Sequence, residues 1–309
     1  MNKTVFFLTL ILVLLPSLGI ASSGAYEINQ ACVANGCFPG DSEGFPVQIT
    51  QPGTYMLTGT LLVPDGVSGV QILASNVRLD LAGFEVRGPI ACLESPPQCS
   101  EYQTAHTGIG VDTPYAGAHI SNGSVRGFSG NGIWSGQSSK VEDISIMETG
   151  SAALVLGDFS LAKNVRIANA TSGILSAEGS RVQGATINNI VGFALATDGS
   201  ASDVSILNAV DGIYVWHGAR LNEIHIRNVN WGIRIGNGAT AIRNTTIINA
   251  SVSGIHVEGG SSVPGSPHIS TMENVMLISE HPGGRGINGE GPYLLIGANV
   301  CGDQVCAQP

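Results

Sequence analysis

Through the middle of this chain an apolar residue returns every 19 to 22 positions, at Ile133, Leu154, Ile174, Phe193, Ile213, Ile233 and Ile255. The flanking motifs read "GIWSG", "AALVLGD", "SGILSAE", "GFALATD", "DGIYVWHG", "WGIRIGNG" and "SGIHVEG". A second apolar column, Ile146, Ile167, Ile187, Ile206, Ile226 and Ile247, follows the first six. Two short strands per repeat, closed by Gly, Asn and Ser turns, cannot bury their apolar faces alone. Stacked, they form one continuous core. The period therefore predicts an all-β chain, a single-stranded parallel β-helix (solenoid) of about nine or ten coils, roughly 45 Å long at the ~4.8 Å strand spacing.

An asparagine column supports the same stack. Asn169, Asn189, Asn208, Asn228 and Asn249 each stand two residues after a second-column isoleucine. Asparagine tolerates the left-handed backbone of a tight turn, and its amide can hydrogen-bond along the stack. Glycosylation sequons at Asn122, Asn169, Asn244 and Asn249 overlap this column. The structural role explains the column without a glycan on it.

The ends carry their own signals. Lys3, the apolar run Val5 to Leu15 and a small-residue site at Gly19-Ile20-Ala21 or Ser23-Gly24-Ala25 mark residues 1–25 as a secretory signal peptide. The run is short for a membrane span and no second one follows, so no span is expected after cleavage; an uncleaved anchor is the alternative. Residues 26–66 read as an N-terminal cap, with a short helix at "EINQAC" and hairpin-like strands around Gln51-Pro52-Gly53-Thr54. A cap is needed because an open solenoid end leaves strand edges unpaired. The β-helix is expected over 67–309, interrupted by an excursion at 89–106 and finished by a C-terminal cap from about 259.

Six cysteines fall into the local pairs Cys32/Cys37, Cys92/Cys99 and Cys301/Cys306. Export permits disulfides, and the short separations favour nearest-neighbour bonds among the 15 possible pairings. Zinc is the rival reading, weakened by the distance between pairs. The formal net charge of −10 disfavours nucleic acid and anionic membrane as partners, because long-range steering repels them.

The segment "GFPVQITQPGTYMLTGTLLVPDGVSGVQILASNVRLDLAGFEVRGP", the Gly-Ile-x-Val coils after it and the terminal Asn-Val-Cys resemble a group of secreted bacterial right-handed parallel β-helix proteins. That group lies within the pectate-lyase-like superfamily. The resemblance spans nearly the whole chain after the signal segment; its opening part is distinctive and its coils are generic to the architecture. It implies a right-handed helix and an extracellular or periplasmic setting, and it points toward carbohydrate. It implies no particular activity, since fold does not dictate function.

Chemistry has to sit on the outer surface. In each coil the residue after the leading apolar one points outward, as does the residue two further on. Those positions hold Trp134; Val155; Leu175; Ala194 and Ala196; Tyr214 and Trp216; Arg234; His256 and Glu258. The later ones fall within about three coils, or ~10–15 Å. Tyr214 and Trp216 offer flat faces for sugar rings, and Arg234 can fork onto a hydroxyl pair or a carboxylate. With Trp134, His256 and Glu258 they form the candidate substrate-binding set. His256, Glu258 and Arg234 are the candidates for acid–base work. The plainer reading has the same residues decorating a wet sheet face or lying under a C-terminal loop.

Asp158, Glu178 and Asp198 recur every 20 residues at the end of that strand. Carboxylates one strand apart, about 5 Å, would suit retaining glycoside hydrolysis or a Ca²⁺ site. Solvated turns are the simpler account, and Thr197 competes with Asp198 for the stacked position. His225 and Arg227 read as surface residues. The Asp-Asp with Gly-His-Gly of polygalacturonase-like hydrolases is absent, as are the Asp-Pro-His-Asp/Glu of alginate epimerases and the Trp-Ile-Asp-His and Arg-x-Pro-x-x-Arg of pectate lyases. No nucleotide or flavin signature is visible, so no cofactor is expected. The reading that results is a secreted β-helix that binds a polysaccharide. A polysaccharide lyase or glycoside hydrolase is the alternative, and a structural or adhesive exported protein the second.

Overall fold

The computed structural model describes residues 24–94, 97–99, 105–258, 269–278, 285–289, 293–302 and 304–306. Residues 1–23 of the expected signal peptide and the stretch 259–268 lie outside them.

The repeat builds a parallel β-solenoid with three inward columns. The first runs Val47, Val70, Ile109, Ile133, Leu154, Ile174, Leu195, Ile213, Ile233, Ile255 and Ile287, which makes eleven rungs among the described residues, close to the nine or ten expected. The sequence's second apolar column is the third face, extending from Val86 and Val125 through the six isoleucines to Leu277. Between them lies a face the repeat did not announce: Leu79, Ile120, Val141, Ala162, Val182, Ala201, Leu221, Ile242 and Met272. Its alanines carry little apolar signal, yet they are as buried as the isoleucines. Two strands per repeat thus become three, and each fully buried Ile, Leu or Val contributes about 1.5–3 kcal/mol.

The strands Lys140–Leu156, Leu161–Ser176, Arg181–Thr197, Ser200–Val215, Arg220–Ile235 and Ala241–Val257 each run through the two bends between faces. Both bends are made by left-handed residues. The expected asparagines Asn169, Asn189, Asn208, Asn228 and Asn249 have φ of 54–61°. Asn189 donates to Asn169 at 2.8 Å and Asn228 to Asn208 at 3.1 Å. A second left-handed column, at Asn122, Asp143, Asn164, Asp203, Glu223, Asn244 and Asn274, makes the other bend. Its mixed residue types hid it in the sequence.

Glycine before the leading isoleucine has a steric cause. A Cβ on Gly232 would meet the Gly254 carbonyl oxygen at 2.2 Å and Ile247 Cγ2 at 2.8 Å. Only a bare Cα lets the third-face isoleucine fill that corner.

At the N-terminal end the short helix forms over Gln30–Val33, with the Asn29 side chain accepting from the N–H groups of Ala31 and Cys32. The expected hairpin does not form. Val47–Ile49 pairs with Val70–Ile72, and Gly53–Leu57 pairs with Tyr26–Ile28 and Val77–Asp80, all in parallel. Val47, Ile49, Tyr55 and Leu57 all face the core, so Gln51-Pro52 rounds a solenoid corner instead of reversing the chain. Disulfides join Cys32 to Cys37 and Cys301 to Cys306; Cys92 is also disulfide-bonded, with Cys99 opposite it in an antiparallel register. Among the described residues no helix is long and apolar enough to cross a membrane.

Candidate functional site

The outward positions of the first face stack in the order Gln71, Gly110, Trp134, Val155, Leu175, Ala196, Tyr214, Arg234, His256 and Asn288. Trp134 stands four rungs from Tyr214, or roughly 19 Å. The structure therefore gathers Tyr214, Trp216, Arg234, His256 and Glu258 and leaves Trp134 apart.

One register shift builds the floor of the cluster. Between Ala170 and Ile174, and again between Ile190 and Phe193, the pairing slips. Leu195 takes the inward place that the spacing assigned to Phe193. The Phe193 ring turns to the outer side, 5.2 Å from Tyr214 between centroids. Ala196 keeps the outward register expected of it but is covered, and Ala194, also expected outward, is buried.

Arg234 is the centre. Its guanidinium carbon lies 5.3 Å from the ring centroid of Tyr214 and 5.3 Å from that of Trp231. Nη2 donates to Glu258 Oε1 at 2.8 Å and Nη1 to Asp211 Oδ2 at 3.4 Å. Trp216 meets Tyr214 edge-on at 4.8 Å and is 44% exposed. His256 packs on Trp231 at 5.0 Å and donates from Nδ1 to Asn288 Oδ1 at 2.7 Å, which also accepts from Ser253 Oγ at 3.0 Å. That bond orients the imidazole.

Asp211 and Trp231 were not among the sequence candidates. They occupy one column with Phe193 and Ser253, two residues before the inward residue of each rung. The signal was an Asp and a Trp just before Gly-Ile; the bend that turns this column outward is invisible in an alternation pattern. Asp211 is only 8% exposed, and its Oδ1 is buried without a hydrogen-bond partner, as is Nε of Arg234. Burial pushes the Asp211 carboxyl up from its ordinary value, with Arg234 opposing. For Arg234 burial works against the charge, but the bond to Glu258 and the charges of Glu258 and Asp211 outweigh it and raise its pKa. Burial, aided by Glu258, raises the Tyr214 phenol.

The carboxylates at the strand ends have separate employment. Asp198 Oδ1 accepts from the backbone N–H groups of Trp216 and His217 at 3.0 and 2.8 Å, and its Oδ2 lies 3.0 Å from His217 Nδ1. Asp158 accepts from Gln137 at 3.3 Å, and Glu178 is exposed. Asp198 thus shapes the turn that presents Trp216. No group of three or more His, Cys, Asp and Glu side chains suited to a metal ion occurs among the described residues.

No family model matches the chain, and no curated protein matches it in sequence. Among solved structures it is similar to the Dettilon tailspike protein gp208 (TM-score 0.44, 15% identity), covering 81% of this chain and 59% of that one. It is also similar to the DFA-IIIase of Arthrobacter chlorophenolicus A6 without its lid (TM-score 0.41, 10% identity, 84% of both chains). A third is the Siphovirus 9NA tailspike receptor binding domain (TM-score 0.44, 11% identity), covering 84% of this chain and 71% of that one. The chain spans under two thirds of the first tailspike's length. The fold assignment stands on the strand register described above and not on these likenesses.

Proposed function

We propose that this protein is a secreted β-helix that binds a glycan on the outer first face of its late rungs. The observation that carries the reading is Trp216: an open indole, edge-on to Tyr214, beside a charged hydrogen-bonding group held rigid between two rings. Such an arrangement offers a flat apolar surface for sugar C–H groups and fixed polar groups for hydroxyls. Asp211, Glu258 and Asp198 outnumber Arg234 locally, so a neutral sugar suits the surface better than a uronate. Export is supported by the signal-like segment and by the disulfides. Placement within the pectate-lyase-like superfamily is part of the same proposal and rests on the sequence resemblance.

The test is a glycan array probed with the protein and its Trp216→Ala variant. Binding lost in the variant supports the site, whereas undiminished binding or none in either protein defeats it. Glycoside hydrolysis is the second reading, favoured by one observation: Asp211, a buried carboxyl raised in pKa, sits in the same cluster. New reducing ends from a bound glycan, lost in Asp211→Asn, would establish it. A lyase fits less well, because Arg234 is already paired with two carboxylates and is not free to neutralise a uronate.

A further inference from the structure

The first face carries a second concavity at its other end. At the rung of Ile109 the outward position is Gly110, flanked by Gln71 on one side and Trp134 on the other. A recess of about 650 Å³ opens over this glycine, and Val67, Thr107 and Asp112 contribute to its walls. Trp134, 44% exposed, closes one side. Opposite it Gln71 Nε2 donates to Asp112 Oδ2 at 2.7 Å. That bond fixes the two polar groups as a pair. The amide oxygen of Gln71 and the second carboxylate oxygen of Asp112 have no hydrogen-bond partner among the described residues.

We propose a second, separate saccharide subsite here, in which a neutral hexose ring stacks on Trp134 and donates hydroxyl protons to Asp112 and Gln71. Its volume belongs to the range of small-molecule sites, and one aromatic wall facing a few fixed polar groups is the lining such ligands need. The free groups opposite the indole are acceptors, one of them anionic. They pair with hydroxyl donors and repel a uronate or a sulfated sugar. The subsite shares its ligand class with the late-rung reading but none of its residues, so either can fail alone.

Gly110 makes the idea testable. It is not in the left-handed region, and a Cβ there would meet Thr107 Cγ2 at 3.7 Å, an ordinary contact. A valine at this position suits a strand and projects into the middle of the recess, between Gln71 and Trp134. The chain has three tryptophans, Trp134, Trp216 and Trp231, so its indole N–H resonances distinguish this recess from the late rungs. The experiment titrates glucose, galactose and mannose separately, up to ~100 mM, into ¹⁵N-labelled protein whose indole signals are assigned by Trp→Phe variants.

The expected result is a saturable shift of the Trp134 signal with at least one hexose. It weakens about tenfold or more in Gly110→Val and severalfold in Asp112→Asn, and it is retained in Trp216→Ala. Asp112→Asn keeps the shape of the recess and serves as the second readout should Gly110→Val fold poorly. No Trp134 shift with any of the three sugars overturns the proposal, as does a shift that survives both substitutions. Loss or retention of shifts at Trp216 and Trp231 reports on the late-rung reading independently.

Discussion

Asp211 and Arg234 face each other across one rung boundary, Oδ2 to Nη1 at 3.4 Å, and the carboxylate is the more buried partner. Its other oxygen has no hydrogen bond. A half-satisfied buried acid is costly to ionise, and Arg234 offsets that cost only in part. The native pKa of Asp211 therefore lies above its ordinary 3.8.

The sign of the pH effect follows. A group whose native pKa is raised contributes stability that is complete below the unfolded value and is lost as pH rises through the native one. Asp211→Asn removes this loss. Its urea midpoint relative to wild type is expected to be higher at pH 7 than at pH 3. A difference that runs the other way would show that the carboxylate is a net stabiliser at neutral pH.

Arg234→Ala leaves both Asp211 and Glu258 without their cation. Because the guanidinium is partly exposed, the expected loss is about 1–3 kcal/mol, below that of a fully buried pair. Combined with Asp211→Asn the loss should be smaller than the sum of the two single effects. Additive unfolding energies in the double-mutant cycle would mean that the pair is not coupled.

Gly232→Ala tests the corner packing. The added methyl group collides with the Gly254 carbonyl and Ile247, so a loss of about 1–3 kcal/mol or more is expected. Gly110→Ala, with only an ordinary contact to make, should change stability by less than ~0.5 kcal/mol. Equal midpoints for the two variants would remove the steric account of the Gly-Ile repeat.

Asn228 separates backbone conformation from ladder bonding. At φ 57° it donates to Asn208 and accepts from Asn249 at 3.1 and 3.4 Å. Asn228→Ala should cost about 1–3 kcal/mol, from the left-handed backbone and the lost bonds together. Asn228→Gly relieves the backbone strain and should recover part of that loss. If glycine and alanine destabilise equally, the ladder bonds alone account for the asparagine.

Much of the candidate site was legible because a repeat reports which residues share a column. Tyr214, Arg234 and His256 were placed on adjacent rungs by counting, and the structure has them in consecutive register. Counting failed where the chain departs from strict alternation. The slip near Ile190 exchanged Leu195 for Phe193 and hid the aromatic floor. The bend before Gly-Ile turned Asp211 and Trp231 onto the outer side, so the second carboxylate on Arg234 and one of the two rings against it had no place in the pattern. Trp134 shares a column with the cluster but lies too many rungs away to join it.

The sequence by itself determined the architecture. A 20-residue period of isoleucine, glycine and left-handed asparagine can bury its apolar surface only by stacking on itself. Tertiary structure decided the number of faces and the composition of the site. Alanines can form a core face only when neighbouring rungs press on them, and Asp211 meets Arg234 of the next coil because the bend before Gly-Ile turns its side chain toward the same corner.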